Sequence, residues 1–375
     1  MTKNKNNVTL LFAGDFLPPE NTKNLYSDEL LEVLKEKDFS IVNLETPLTN
    51  YNNPIKKTGT LIKRPPSSIN HLKEGFFDAV ALSNNHIRDY GDAGVMDTIS
   101  ECKKVGISTV GAGSNLDEAS KPLKINIKGK NISFLNFSEK EFNIADTDSA
   151  GANPFDIISV YYQIQEERRN TDILIVIYHG GVEFHNYPLQ DIKKTFRYLI
   201  DLGADTVISH HTHYIGGFEV YKNKPIFYSL GNFYFKYKSK NLVNNEQLNR
   251  GLVVKLVFGN SSEVGFNIYG VKKTKEQKTL LLFNQADNHR LLKEIELMNT
   301  VIKSDNMLES YWVKQAIKYQ SKYFSLIYFT NPLLVKFAKK INISVLRSPY
   351  WKRNVSNIIR CFSHRKLLEL TLRSK

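Results

Sequence analysis

Short apolar runs rich in β-branched and aromatic residues recur through the first two-thirds of the chain, at residues 8–13, 41–44, 79–82, 132–137, 173–178 and 206–208. Each run is short and bounded by polar or turn residues, the pattern of a strand buried on both faces. Between several of them, residues 94–105, 157–169 and 190–202 carry helix-like patterning. Strand and helix in alternation predict an α/β fold, with covering helices over a buried sheet.

The pattern then changes. Residues 218–221, 225–230, 252–258 and 264–269 read as successive strands with no helices between them, so antiparallel pairing is expected. Past residue 276 helical patterning takes over, most clearly at 291–301 and 311–319. The boundary falls near Lys275, giving a main domain at 1–275 and a basic, mainly helical C-terminal extension at 276–375. Residues 323–335 are apolar and aromatic, but Thr330, Asn331 and Pro332 interrupt them. They fall short of the roughly 20 residues that a spanning helix needs. The first apolar run holds Thr9 and ends at Gly14-Asp15 without a cleavage signature, so it reads as a strand and not as a signal peptide.

Composition narrows the class. In 375 residues, 41% are hydrophobic and 24% charged, enough for a self-folding globular body. Cys102 and Cys361 are the only cysteines, which excludes a disulfide framework and a thiolate zinc cluster and fits a reducing, cytoplasmic setting. The net charge of +13 is concentrated late: after Asn331 there are eleven Lys and Arg against one acid, Glu369. Interleaved with Tyr350, Trp351 and Phe362, these could contact nucleic acid, but no nucleic-acid motif accompanies them. The tail fits a solvated helix face or an anionic membrane surface better.

Candidate chemistry sits where strands end. Five runs lead directly into polar residues: Phe12-Ala-Gly-Asp15, Val42-Asn-Leu-Glu45, Leu82-Ser-Asn-Asn-His86, Ile177-Tyr-His179 and Ile208-Ser-His-His-Thr-His213. In open α/β sheets the site forms at the carboxyl ends of strands, whereas chance polar residues would fall at either end. Asp15 and Glu45 offer carboxylate oxygens, Asn85 an amide oxygen, and His179, His211 and His213 imidazole nitrogens. That mixture suits Mn, Fe or Zn, and a pair of such ions favours phosphate-ester hydrolysis. Taken singly, Asp15 also reads as a turn residue, Glu45 as a capping acid and Asn85 as a turn former. The alternate spacing of His211 and His213 on an extended segment would point both imidazoles the same way. His71, His185, His289 and His364 have no such company and read as surface or core residues.

The strings Phe12-Ala-Gly-Asp15, Asn43-Leu-Glu-Thr-Pro-Leu-Thr49, Ser83-Asn-Asn-His-Ile-Arg-Asp-Tyr-Gly91, Val110-Gly-Ala-Gly113, His179-Gly-Gly-Val-Glu183, His210-His-Thr-His213 and Tyr228-Ser-Leu-Gly-Asn-Phe233 resemble the CapA, or poly-gamma-glutamate capsule biosynthesis, family. That family resembles calcineurin-like metallophosphoesterases, which implies a β-sandwich flanked by helices with a two-metal centre at strand ends. The resemblance implies Asp15, Glu45 and His213 on one divalent ion, and Glu45, Asn85, His179 and His211 on the other. It makes His86 the general acid, Asp89 the residue that orients it, and Glu183 a support or extra ligand.

Three departures stand out. Phosphoesterases carry Asp-x-His where this chain has Asp15-Phe16-Leu17, so one ion has fewer ligands. Ser209 and Thr212 replace a Gly and a Pro, and Gly180 stands where the family commonly has Trp. The expected function is metal-dependent hydrolysis of an anionic phosphate ester or polymer in capsule or envelope synthesis. The alternative is a non-catalytic accessory protein that binds an anionic polymer.

Overall fold

A computed structural model describes residues 6–20, 22–237, 239–274, 279–327 and 349–373. In chain order its strands are β1 (Val8–Phe16), β2 (Phe39–Leu44), β3 (Ala79–Ala81), β4 (Ser108–Val110), β5 (Ala112–Gly113), β6 (Leu123–Ile127), β7 (Lys130–Ser138) and β8 (Gly151–Ala152). They continue with β9 (Ile173–His179), β10 (Thr206–His210), β11 (Phe218–Tyr221), β12 (Lys224–Phe227), β13 (Asn232–Tyr234), β14 (Arg250–Phe258), β15 (Val264–Lys273) and β16 (Leu280–Leu282). One sheet runs β16-β15-β14-β1-β2-β3-β4, with β13 alongside β1, and the other runs β11-β12-β10-β9-β7-β6.

The side-chain period of two decides how the layers stack. In β9, Ile173, Ile175 and Ile177 face the core between the sheets, while Leu174, Val176 and Tyr178 face the outer helices. In β1, Leu10 and Phe12 turn to that same inter-sheet core and Leu11 and Ala13 turn away from it. Strands buried on both faces are apolar at most positions, which is why these runs are near-continuous rather than alternating. Each fully buried Leu, Ile or Phe contributes roughly 1.5–3 kcal/mol relative to an exposed one.

Helices cover both outer faces. Asp28–Lys35 and Gly91–Lys104 lie on the first sheet through Leu30, Leu34, Val95 and Cys102. The first of these begins where the Ser27 hydroxyl accepts the Leu30 N–H at 3.3 Å. Ile157–Arg168 and Gln190–Asp201 cover the second sheet, the former capped by Asp156. The architecture is therefore the α/β fold that the patterning predicts, arranged as the helix-flanked sandwich that the resemblance implies.

The expected boundary at Lys275 lies outside the described residues. On its far side, β16 adds an antiparallel strand to β15, and Gln285–Lys303 inserts Leu291 and Ile295 into the inter-sheet core. The helices Asp305–Ile327 and Phe362–Arg373 pack Trp312 and Leu367 onto the second sheet's outer layer. Trp312 is also fixed by its indole N–H, which donates to the Pro188 carbonyl at 2.7 Å. No described helix is long and apolar enough to cross a membrane. The expected apolar stretch at 323–335 runs beyond the described residues.

The antiparallel expectation for the later strands holds for β11-β12 and β14-β15. Beyond those pairs, β12 also pairs with β10, and β13 with β1, in parallel.

Candidate metal centre

β1, β2 and β3 are parallel neighbours, as are β7, β9 and β10, so their carboxyl ends lie along one edge of the sandwich. At that edge β1 breaks register between Ala13 and Asp15. Gly14 permits the break: a Cβ there would stand 2.2 Å from the Gly231 carbonyl oxygen. The close approach lets the Asp15 N–H donate to that oxygen at 2.8 Å. The buried Asp15 carboxylate accepts from Asn43 Nδ2 at 2.8 Å and from the His211 N–H at 3.1 Å, and lies 3.1 Å from His210 Nδ1. Burial raises its pKa, but His210 and then His213 and Asn43 outweigh this and hold the carboxyl below its usual range.

Glu45 follows β2 and is completely buried, yet neither carboxylate oxygen has a hydrogen-bond partner. Its neighbours are imidazoles, His179 Nε2 at 3.7 Å and His213 Nε2 at 3.8 Å from Oε1. Burial, followed by the charges of Asp15 and Glu183, pushes this carboxyl well above the usual range. An unpaired buried carboxyl is costly unless a cation answers it.

Two ligand sets meet at Glu45. Ligand atoms of Glu45, His179 and His211 all lie within 4.8 Å of one another, as do those of Asp15, Glu45 and His213. Asn85 joins the first set, its Oδ1 being 3.0 Å from His179 Nε2. Burial, then the neighbouring imidazoles, keep His179 well below its usual pKa, hence neutral, the form that ligates. The donor chemistry is therefore compatible with divalent metal binding.

The two histidines of the His-x-His run do not lie on an extended strand. β10 ends at His210, and His211 and His213 adopt φ of 91° and 60°, the left-handed region that non-glycine residues seldom enter. That backbone turn sends the imidazoles into different ligand sets instead of pointing both the same way. Strain of this kind persists only where surrounding structure enforces it, here through the Asp15 contact to the His211 N–H.

His86 Nδ1 lies 2.8 Å from Asp89 Oδ2, leaving Nε2 for a ligand. Asp89 is ion-paired with Lys57, and its Oδ2 accepts the Ile62 N–H at 2.8 Å. Burial, then the Lys57 charge, lower the His86 pKa, against the pull of Asp89. Glu183 is exposed into the same cavity. Crowding by the protein raises its pKa, but the imidazoles of His211, His213, His86 and His364 leave it lowered overall. All nine residues singled out from the sequence thus converge here: Asp15, Glu45, Asn85, His86, Asp89, His179, Glu183, His211 and His213.

The cavity above them measures ≈ 650 Å³, and Arg64, Lys236 and His364 are among its other lining residues. His364, read from the sequence as bland, is therefore part of the site. Sequence reasoning also missed Asn43, His210, Asn232 and Lys57. Asn43 stands two residues before Glu45 and so on its side of the strand, a signal the spacing does contain. Asn232 Oδ1, 2.9 Å from His213 Nδ1, and Lys57, distant in sequence from Asp89, carry no such signal.

With this geometry in hand, the family model described as "Bacterial capsule synthesis protein PGA_cap" matches residues 9–237. The chain belongs to that family. Within the capsule-synthesis family, capsule biosynthesis protein CapA of Bacillus anthracis is 30% identical over 247 residues, covering 61% of this chain and 60% of its own length. PGA biosynthesis protein CapA of Bacillus subtilis is 33% identical over 210 residues, 54% of each chain. A probable polyglutamine synthesis accessory protein of Mycobacterium tuberculosis is 27% identical, covering 54% of this chain and 57% of its own. The chain thus spans between 54% and 60% of the length of these relatives. Among solved structures, a hypothetical protein from Thermus thermophilus aligns over 71% of this chain and 99% of its own, with 15% identity and a TM-score of 0.45. A putative 5'-nucleotidase from Staphylococcus aureus aligns over 77% and 58%, with 15% identity and a TM-score of 0.42.

Proposed function

We propose that this chain is a divalent-metal-dependent phosphoesterase acting on an anionic phosphate ester in the assembly of a capsule or poly-gamma-glutamate polymer. One observation carries the reading: two buried ligand sets share Glu45, whose oxygens have no hydrogen-bond partner, beside a His–Asp pair in one cavity. Asp15, Glu45 and His213 would hold one ion, and Glu45, Asn85, His179 and His211 the other, with Mn, Fe or Zn suited to the donors. Such a pair supplies Lewis-acid polarisation of a phosphoryl oxygen and hydroxide near neutral pH.

The chain's own residues do the rest. His86 gives the proton on Nε2 to the leaving oxygen, while Asp89 holds Nδ1–H and keeps the ring in place. Burial and Lys57 make the imidazolium a readier donor than free histidine. Lys57 also fixes the loop below, its ammonium donating to the Asn85 carbonyl at 3.2 Å. Asn43 and His210 orient Asp15, and Asn232 orients His213.

A second reading has its own observation. Leu17, a buried apolar side chain, stands where the histidine ligand of Asp-x-His would be, so among the described residues the Asp15 set offers three His, Asp or Glu ligands. If that ion is not held, the chain becomes an accessory protein that binds an anionic polymer. Metal analysis of the purified protein, followed by a phosphatase and phosphodiesterase screen with added Mn²⁺, separates the two. We expect two ions per chain and turnover. One ion or none, with no turnover on any ester, would move the chain to the accessory reading.

A further inference from the structure

Glu139 follows β7 and is more than nine-tenths buried. Its Oε1 accepts from the Tyr178 hydroxyl at 2.7 Å, the Ser363 hydroxyl at 2.6 Å and the Gly181 N–H at 3.0 Å. Its Oε2 accepts from the Ser363 N–H at 2.9 Å and the Cys361 thiol at 2.8 Å. The Glu139 N–H donates to the His179 carbonyl at 3.0 Å. Through its backbone N–H and its carboxylate, Glu139 therefore ties the peptide running from the ligand His179 to Gly181 to the first turn of the helix Phe362–Arg373. The charge also sits at the positive end of that helix.

Gly180 makes the tie sterically possible, since a Cβ there would stand 2.6 Å from Glu139 Cγ. The helices held by the clamp return to the metal cavity. Asn354, Asn357 and Ile358 from Pro349–Arg360, and His364 from Phe362–Arg373, line it together with His86 and Glu183. These helices lie beyond residue 237, where the family match ends.

Burying a carboxylate is tolerable only when its hydrogen bonds are complete. If the C-terminal turn lifted away, Glu139 would lose three of its five donors while still bonded to both sides of Gly180. We propose that Glu139 is a positioning residue that makes the C-terminal helices part of the metal centre, so that their docking and metal binding by the His179 set stabilise each other. The proposal rests on the reading that the centre holds divalent ions. Linkage makes the effect reciprocal: whatever docking adds to metal affinity, metal adds to docking.

The test uses full-length wild type, Glu139→Ala and Ser363→Ala. Hydrogen exchange across residues 349–373 is followed with and without Mn²⁺, and Mn²⁺ affinity is measured by chelator competition on folded protein. Mn²⁺ should slow exchange across 349–373 in wild type. Glu139→Ala should bind Mn²⁺ roughly 10- to 100-fold more weakly, the scale of a lost ligand-supporting contact, and its exchange should no longer respond to metal. Ser363→Ala should fall between, and it decides the matter if Glu139→Ala does not fold. Metal binding with no change in wild-type exchange overturns the proposal, as does wild-type affinity and metal response in the folded variants despite a lower Tm. Wild type that binds neither Mn²⁺ nor Zn²⁺ overturns the metal reading itself, and this proposal with it.

Discussion

Replacing Glu45 by Gln should change how stability responds to metal and to pH in a way no other residue of the site would reproduce. Both Glu45 oxygens are buried without a hydrogen-bond partner, and burial, then Asp15 and Glu183, raise the carboxyl well above its usual 4.5. The sign follows from linkage. A carboxyl whose folded pKa lies above its unfolded value holds its proton more tightly in the folded state. The Glu45 contribution to metal-free stability is therefore full below about pH 4.5 and is lost as pH climbs towards the folded pKa, by up to about 1.4 kcal/mol per pH unit. An amide at this position has no proton to lose, so Glu45→Gln should erase that slope.

With metal the order reverses. An ion at a hundred times its Kd stabilises wild type by about 2.7 kcal/mol, or roughly 5 °C in Tm at about 2 °C per kcal/mol for a chain of this size. The stabilisation should grow with pH as the ligands shed protons. Glu45→Gln, lacking the shared carboxylate, should gain little. Thermal melts of chelated and Mn²⁺-loaded protein between pH 5 and 8.5, taken as wild type minus variant, isolate the effect. Parallel metal-free profiles, or an equal rise in Tm with Mn²⁺ for both proteins, would refute the assignment of Glu45 as the shared ligand.

Other outcomes follow from the same geometry. The double change His211→Ala and His213→Ala should abolish metal binding, because it takes an imidazole from each ligand set; a full metal complement by elemental analysis would count against the site. His86→Ala should keep the metals but cut turnover roughly 10²-fold or more, with a smaller loss on esters that have good leaving groups; equal activity on a poor leaving group removes His86 from the mechanism. Trp312→Ala should cost about 3–5 kcal/mol in denaturant unfolding, since it empties a buried ring site and strands the Pro188 carbonyl; a loss below about 1 kcal/mol would show that the helix is not held there. We also propose that the basic tail rests on an anionic membrane face. Changing the exposed Lys352, Arg360, Arg365 and Arg373 to Gln should then reduce low-salt pelleting with anionic vesicles, at about 1 kcal/mol per charge; equal pelleting of both proteins argues against it.

Much of the fold was legible because burial on both faces writes itself into sequence as near-continuous apolar runs. The runs beginning at Val8, Ile132 and Ile173 became β1, β7 and β9, and the helices at Ile157 and Gln190 began where patterning placed them. The site residues were legible for a related reason: a parallel strand delivers whatever follows it to one edge, so polar residues after five such runs had to converge. Weak strands left no trace of this kind. β13 has only Asn232, Phe233 and Tyr234, and its parallel pairing with β1 depends on Gly14 meeting Gly231.

What only the tertiary structure decided is the support around those ligands. Local patterning reports which side of an element is buried, not which distant group it meets. So the turn that sends His211 and His213 to different ligand sets was invisible, because a left-handed backbone at histidine is imposed by contacts and not by propensity. Lys57 with Asp89, His210 with Asp15 and Asn232 with His213 are pairings across folded space. His364 read as a lone surface or core histidine, and docking of the last helices, with Ser363 bonded to Glu139 and Leu367 packed in the core, carries it to the cavity. The sequence determined which side chains could perform the chemistry, and packing between segments as much as 224 positions apart, as for Glu139 and Ser363, determined what holds them there.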